Sequence, residues 1–273
     1  MPATDCHVHV FDAERFPFAA SASYHPLPCE SGTVDDLAAT LDAAGMERVV
    51  IVNPTSGYGD DNRCMLDALE RLAGRARGIA RVPLSISGSE LDALARHGVA
   101  GVRVDLIAGG TTLVTDPGFA ALVAKLADRD LLLDLQGEGG QWVAVQAALE
   151  RAAPVRVMID HVGRPDVNEG VGGAGFVALL RLADTGRVAV KLSGPMRFSR
   201  RTPSYSDVVP FVDAVVRAFT PAHLVFGSDW PFLRSDRRFD YGPLLAWLAR
   251  VVPDQASRKT ILGESPARWF GFR

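Results

Sequence analysis

Short apolar runs rich in β-branched residues alternate with longer amphipathic stretches along almost the whole chain. The runs at 4–10, 48–53, 78–82, 98–105, 131–136, 154–161, 188–193 and 223–229 read as strands. Between them, VDDLAATLDAAG places Leu37, Leu41 and Ala44 on one helical face and ends in Gly45. DDNRCMLDALERLAG repeats the pattern with Asp60 or Asp61 placed to cap. Further helices are predicted over 118–128, 141–151, 176–185, 205–219 and 241–251. Eight strands with intervening helices predict an α/β fold, a parallel (β/α)8 barrel spanning residues 1–273 as a single domain, with the doubly wound sheet as its competitor.

Polar residues fall at the ends of these strands, where barrel enzymes carry their chemistry. Strand one ends in His7 and His9, strand six in His161 and strand eight in Asp229; strand four carries Arg103 and Asp105, strand five Asp134 and Gln136, strand seven Lys191. Period two sends alternate side chains to one face. It predicts Asp5, His7 and His9 inward, with Cys6, Val8 and Val10 toward the helices. It likewise puts His161 above Ile159, Val157 and Val155, and Asp229 above Gly227 and Val225.

Composition narrows the field. A formal net charge of −3 with interspersed signs gives no nucleic-acid stripe and no basic membrane patch. DCHVHV begins almost at Met1, so no secretory leader is expected, and the apolar runs are too short to span a bilayer. Cys6, Cys29 and Cys64 form neither a disulfide frame nor a CxxC knuckle, which points to a reducing, cytoplasmic setting. The stretch from Gly170 to Gly175 matches GxGxxG but lacks a preceding strand, and it reads as part of a long loop over the barrel mouth.

Plainer roles stand beside the chemical ones. Arg103 and Lys191 are equally suited to structural ion pairs with Asp105 or Asp134, and Arg197, in GPMRFSRRT, to a solvated surface position. His97, His223 and His25 read as structural, and Asp5 as a residue that orients a histidine. Two histidines on one strand face, with a third and a carboxylate at other strand ends, favour chemistry.

DCHVHVFD, IDHVGRPD, VKLSG and FGSDWP, in this order and at these strand ends, resemble the amidohydrolase superfamily, most closely its branch of lactone hydrolases acting on substrates such as 2-pyrone-4,6-dicarboxylate. The resemblance covers nearly the whole chain and implies a distorted (β/α)8 barrel. By position, His7 and His9 match the strand-one pair, His161 the strand-six histidine and Asp229 the strand-eight aspartate. Many superfamily members hold one or two divalent metals there with a strand-five histidine. This chain departs from them, offering Asp134 and Gln136 on strand five and Arg103 on strand four. The resemblance therefore implies catalysis with no cofactor; a single zinc or manganese, if bound, would take His7, His9 and Asp229.

Opening an ester needs a base to activate water and donors to stabilise the oxyanion. Asp229 is the expected base, and His7, His9 and His161 the groups that polarise the carbonyl. Arg103 and Arg197 suit substrate carboxylates, with Lys191, Ser56 and Tyr58 as further substrate contacts. The expected partner is a small acidic lactone, with association into a homo-oligomer left open. Competing expectations are a metal-dependent amidohydrolase or nonoxidative decarboxylase, a lactone isomerase, and a barrel that only binds its ligand.

Overall fold

The computed structural model describes residues 1–20, 22, 24–235 and 239–272. Eight parallel strands form one sheet in sequence order: β1 (Thr4–Val8), β2 (Arg48–Val52), β3 (Ala76–Arg81), β4 (Val99–Asp105), β5 (Leu132–Gln136), β6 (Val157–Ile159), β7 (Val188–Ser193) and β8 (Leu224–Gly227). The sheet closes through the segment after β8, where Asp229 N donates to His7 O and His9 N to Trp230 O, each at 2.8 Å. The helices that cover it are α1 (Val34–Ala44), α2 (Arg63–Arg71), α3 (Gly88–Arg96), α4 (Pro117–Ala127), α5 (Gln141–Arg151), α6 (Ala174–Arg181), α7 (Val209–Phe219) and α8 (Tyr241–Val251). A terminal helix, α9 (Ser265–Phe270), follows. Among the described residues no helix is long and apolar enough to cross a membrane.

Local chemistry sets the helix ends. Thr33 and Asp36 cap α1 reciprocally and Ser87 and Glu90 do the same for α3, while Gly45 takes the left-handed conformation (φ 69°) that stops α1. Each helix buries an apolar stripe, such as Leu37 and Leu41 of α1, against outward-facing strand residues such as Val49 and Ile51.

A second apolar cluster fills the barrel. Cys6, Val50, Val52, Ile79, Leu132, Met158, Ala189 and Val225 meet there, closed off by Trp269, Phe270 and Phe272 from the C-terminal end. This corrects period two in two strands. Cys6 belongs to the interior cluster, not to the helix-facing side, because the β1–β2 register shifts between Asp5 and Val8 and so lets Cys6 and His7 both serve the interior. In β6, Val155, Val157 and Ile159 pack toward the helices and Met158 points inward. The residue that continues the inward row is therefore Asp160, and His161 arrives by a different route. In β8 the period holds: Val225 is interior and Gly227 lies directly above it.

Gly227 is where fold and site meet, since a Cβ there would lie 2.5 Å from His7 Cβ and 3.2 Å from Ser193 Cβ. We expect Gly227→Ala to lower unfolding stability by about 1–3 kcal/mol, the usual cost of overpacking, measurable by urea denaturation.

Candidate active site

The floor of the site is a buried square of charge. Arg103 of β4 donates through Nε to Asp134 Oδ1 (3.1 Å) and through Nη2 to Asp160 Oδ2. Lys191 of β7 lies 2.6 Å from Asp134 Oδ2 and 2.8 Å from Asp160 Oδ1. Two cations and two anions thus cancel inside the barrel. Burial disfavours the charged form of Lys191, but Asp134 and Asp160 outweigh it and hold its pKa above the ordinary lysine value. For Asp160, burial is likewise outweighed by Arg103 and Lys191, so its carboxyl sits well below the usual range.

His7 rests on this square and is fully buried. Its Nε2 lies 3.3 Å from Arg103 Nη2, a group that can only donate, while Nδ1 lies 3.2 Å from Asp160 Oδ1. The network assigns the ring proton to Nδ1 and leaves Nε2 accepting from Arg103. Burial lowers the His7 pKa to about 3, so the ring is neutral. Asp5 fixes the backbone here: its Oδ1 accepts from His7 N and Ser228 N, each at 3.0 Å, and its Oδ2 from Tyr241 Oη at 2.6 Å.

Above the floor opens a cavity of about 550 Å³. His9, His161, Arg103, Arg197, Ser56 and Asp229 line it, and Asp229 is the point of convergence. Its Oδ1 lies 3.6 Å from His9 Nε2, 3.7 Å from His7 Nε2 and 4.0 Å from His161 Nε2; its Oδ2 accepts from Arg197 Nε. Burial raises the Asp229 pKa, but Arg197 and His161 more than reverse this, and the carboxyl stays ionised well below the ordinary range. His9 Nδ1 is 2.8 Å from Val52 O, which only accepts, so Nδ1 carries a proton and Nε2 is the ring atom that faces Asp229. His161 pairs Nδ1 with Ser193 Oγ at 2.9 Å, and burial lowers its pKa well below the ordinary histidine value.

His161 reaches the cavity through a backbone that turns against L-residue preference. His161, Val162, Gly163 and Arg164 have φ values of 51°, 58°, 75° and 41°. The surroundings over-determine this turn. Gly163 N bonds Asp160 O, Arg164 N bonds His161 O, Trp142 Nε1 bonds Gly163 O and Gly139 N bonds Arg164 O. A Cβ on Gly163 would lie 2.1 Å from Leu179 Cδ1.

Three expected contacts are corrected. Tyr58 is buried away from the cavity: its hydroxyl accepts from Asp12 N, and its ring stacks on Phe11 at 5.9 Å. Lys191 is fully enclosed in the charge square and lines no part of the cavity. His7 rests on the charge square with its lone pair turned to Arg103 and lines no part of the cavity, so it offers no N–H to a carbonyl there. Asp160 and Arg164 escaped notice although both stand in the motif IDHVGRPD; the glycine beside Arg164 was the available signal. Thr55 and Asp105 also face the cavity, joined by a 2.8 Å bond from Thr55 Oγ1 to Asp105 Oδ2.

Ligand atoms of His7, His9 and Asp229, and of His7, Asp160 and His161, lie within 4.8 Å of one another, close enough to gather around one ion. His7 belongs to both groups, and its ring nitrogens are already engaged. Two permanent cations stand 3.3 Å from its two ring nitrogens, and its single lone pair already faces one of them. An ion coordinated by His7 would have to displace the Arg103 or the Lys191 contact.

The buried neutral histidines set how stability depends on acid. Unfolded, His7 and His161 take up protons near pH 6.5; folded, both resist, so the unfolded state binds more protons as pH falls. Stability is expected to decline from about pH 6 toward pH 4 with a slope approaching 1.4 kcal/mol per pH unit for each ring. Urea titrations at several pH values in wild type and His7→Asn check this; the variant should show the shallower slope.

An amidohydrolase family model matches residues 4–272. A 2-pyrone-4,6-dicarboxylate hydrolase of Comamonas testosteroni is 33% identical, with 98% of this chain and 90% of the relative covered. A 4-sulfomuconolactone hydrolase of Rhizobium radiobacter is 34% identical with the same coverage of each chain. The crystal structure of a probable 2-pyrone-4,6-dicarboxylic acid hydrolase from Acinetobacter baumannii, with citric acid bound, is similar at a TM-score of 0.89 and 26% identity over 100% of both chains.

Proposed function

The chain belongs to the amidohydrolase family, and from that premise we propose that it hydrolyses the cyclic ester of a small carboxylated lactone. The observation that carries this is the meeting of Asp229 Oδ1 with His9 Nε2 and His161 Nε2 at the cavity floor, where Arg197 holds Oδ2. The named activities of the relatives, both lactone hydrolases, support the substrate class.

The Asp229 carboxylate and His9 Nε2 face each other across 3.6 Å. A water within reach of both donates a hydrogen bond to Asp229 and turns its oxygen lone pair toward the substrate carbonyl. As the oxygen–carbon bond forms, Asp229 receives a proton. His161 Nδ1 pairs with Ser193 Oγ; in the tautomer that accepts there, its Nε2–H bonds the developing oxyanion. Collapse breaks the ring carbon–oxygen bond, and Asp229 returns the proton to the departing ring oxygen. Because Arg197 holds Asp229 ionised, the carboxylate is ready to accept a proton at any pH near neutrality. His7 and the charge square position these groups from below.

Metal-independent action fits this arrangement, since Arg103 occupies the lone pair of His7 that an ion would need. The experiment is ring opening of 2-pyrone-4,6-dicarboxylate, followed by absorbance with chelator-stripped enzyme. Turnover is expected without added metal, and Asp229→Asn is expected to lower kcat by about 10²–10⁴-fold while the protein still melts cooperatively. Activity that returns only with zinc or manganese would make the histidines ligands instead, and an Asp229→Asn enzyme as fast as wild type would remove Asp229 as the base.

A further inference from the structure

One buried carboxylate serves neither the charge square nor the reacting centre. Glu30 lies in the loop between β1 and α1 and is only 5% exposed. An ionised group this deep needs compensation, and four donors supply it. Tyr24 Oη and Leu27 N (3.0 Å) bond Oε2, while Arg234 N (2.5 Å) and Ser235 N (3.3 Å) bond Oε1. Burial raises the Glu30 pKa, but these hydrogen bonds outweigh it and hold the carboxyl below the ordinary glutamate value. Oε2 closes the turn that delivers Glu30 itself. Oε1 reaches a segment 204 residues further along the chain.

That segment follows Asp229 across the seam where the barrel closes. The seam is narrow: one isolated bridge joins Val8 to Trp230, with the bonds from Asp229 N to His7 O and from His9 N to Trp230 O. Beyond Trp230 the loop after β1 takes over. A Cβ on Gly32 would lie 2.1 Å from the Trp230 ring, the Arg234 guanidinium covers Tyr24 at 4.7 Å, and Glu30 fixes two backbone N–H groups.

The fixed segment also has a task at the reacting centre. Leu233 O accepts from Arg197 Nη1, and Arg197 Nε bonds Asp229 Oδ2. Leu233 O and Arg234 N belong to one planar peptide group, so a bond that holds its N–H sets where its carbonyl points. An anion on the N–H side and a cation on the carbonyl side both suit the dipole of that peptide, and each bond strengthens the other.

We infer that Glu30 is a positioning residue for Asp229: through the Leu233–Arg234 peptide it holds the Arg197 guanidinium against the Asp229 carboxylate, so that the base keeps one orientation. The consequence for catalysis rests on the lactone-hydrolase reading; the relay itself does not. His7, His9 and His161 also face Asp229, but they are held separately, by Asp160, Val52 O and Ser193.

The test is a double-mutant cycle between Glu30→Ala and Arg197→Lys, read by kcat on 2-pyrone-4,6-dicarboxylate and by the nitrogen-15 resonance of the Arg197 side chain. In wild type the Arg197 Nε–H, assigned by its loss in Arg197→Lys, should exchange slowly with solvent. In Glu30→Ala it should exchange at least about 10-fold faster. Glu30→Ala should lower kcat about 10–100-fold. In the Arg197→Lys background the same change should cost less than about 2-fold, because the guanidinium through which Glu30 acts is gone. Glu30→Gln, whose amide oxygen still accepts from Arg234 N, should recover most of both losses. If the alanine variant does not melt cooperatively, Glu30→Met, which fills the space without an acceptor, goes through the same cycle; failure of both to fold overturns the inference and assigns Glu30 to the fold. An unchanged Arg197 signal in Glu30→Ala, or losses in kcat that multiply across the cycle, also overturns it. Faster exchange in Glu30→Ala, with no lactone opened even by wild type, sinks the hydrolase reading and leaves the relay standing.

Discussion

Everything at the catalytic end of this barrel stands on four buried charges that cancel. Arg103, Asp134, Lys191 and Asp160 come from β4, β5, β7 and the residue after β6, so the square ties strands across the interior as well as neutralising itself. Removing any one member would leave an uncompensated charge in a dry interior, a defect of about 3–5 kcal/mol. The same square decides the chemistry above it. It hands His7 a donor on one side and an acceptor on the other, and so fixes a neutral ring in one tautomer. From there the order propagates upward: Asp5 holds the His7 backbone, His7 O holds Asp229 N, and Asp229 faces His9 and His161.

The wall from β6 to β8 is built for rigidity. The four-residue left-handed turn is strained, yet it is pinned by Trp142, Gly139 and the close approach of Leu179. Strain of this kind persists where the surroundings leave no alternative, and here it carries both His161 and Arg164 to the cavity. The facing wall carries Ser56, Thr55, Asp105 and Gln136, with Arg103 below them.

Much of this was legible in the sequence, and the reasons are specific. Strand and helix order followed from hydrophobic period, because each element buries one continuous apolar face. Asp229 could be placed by parity because β8 runs regularly up to Gly227. The same parity failed for Cys6 and for β6: a register shift in β1 and a left-handed turn after Ile159 break the period, and neither has a strong local signature. Tyr58 and Lys191 lay in the right segments, but exposure at a strand end depends on tertiary neighbours that sequence spacing does not reveal. The pairing of Arg103 with Asp134, one of the alternatives visible in the sequence, is the one the barrel adopts.

The shared turn at 161–164 also has a historical consequence. Because one closely held segment carries both His161 and Arg164 to the cavity, drift in either is constrained by the other, and insertions there would displace both. The loops after β2 and β4 carry no such double burden. Divergence toward new ring substituents would therefore accumulate on that side of the mouth, while the β6 turn stays as an inherited anchor, a division that tells an engineer which loops to randomise and which to leave alone.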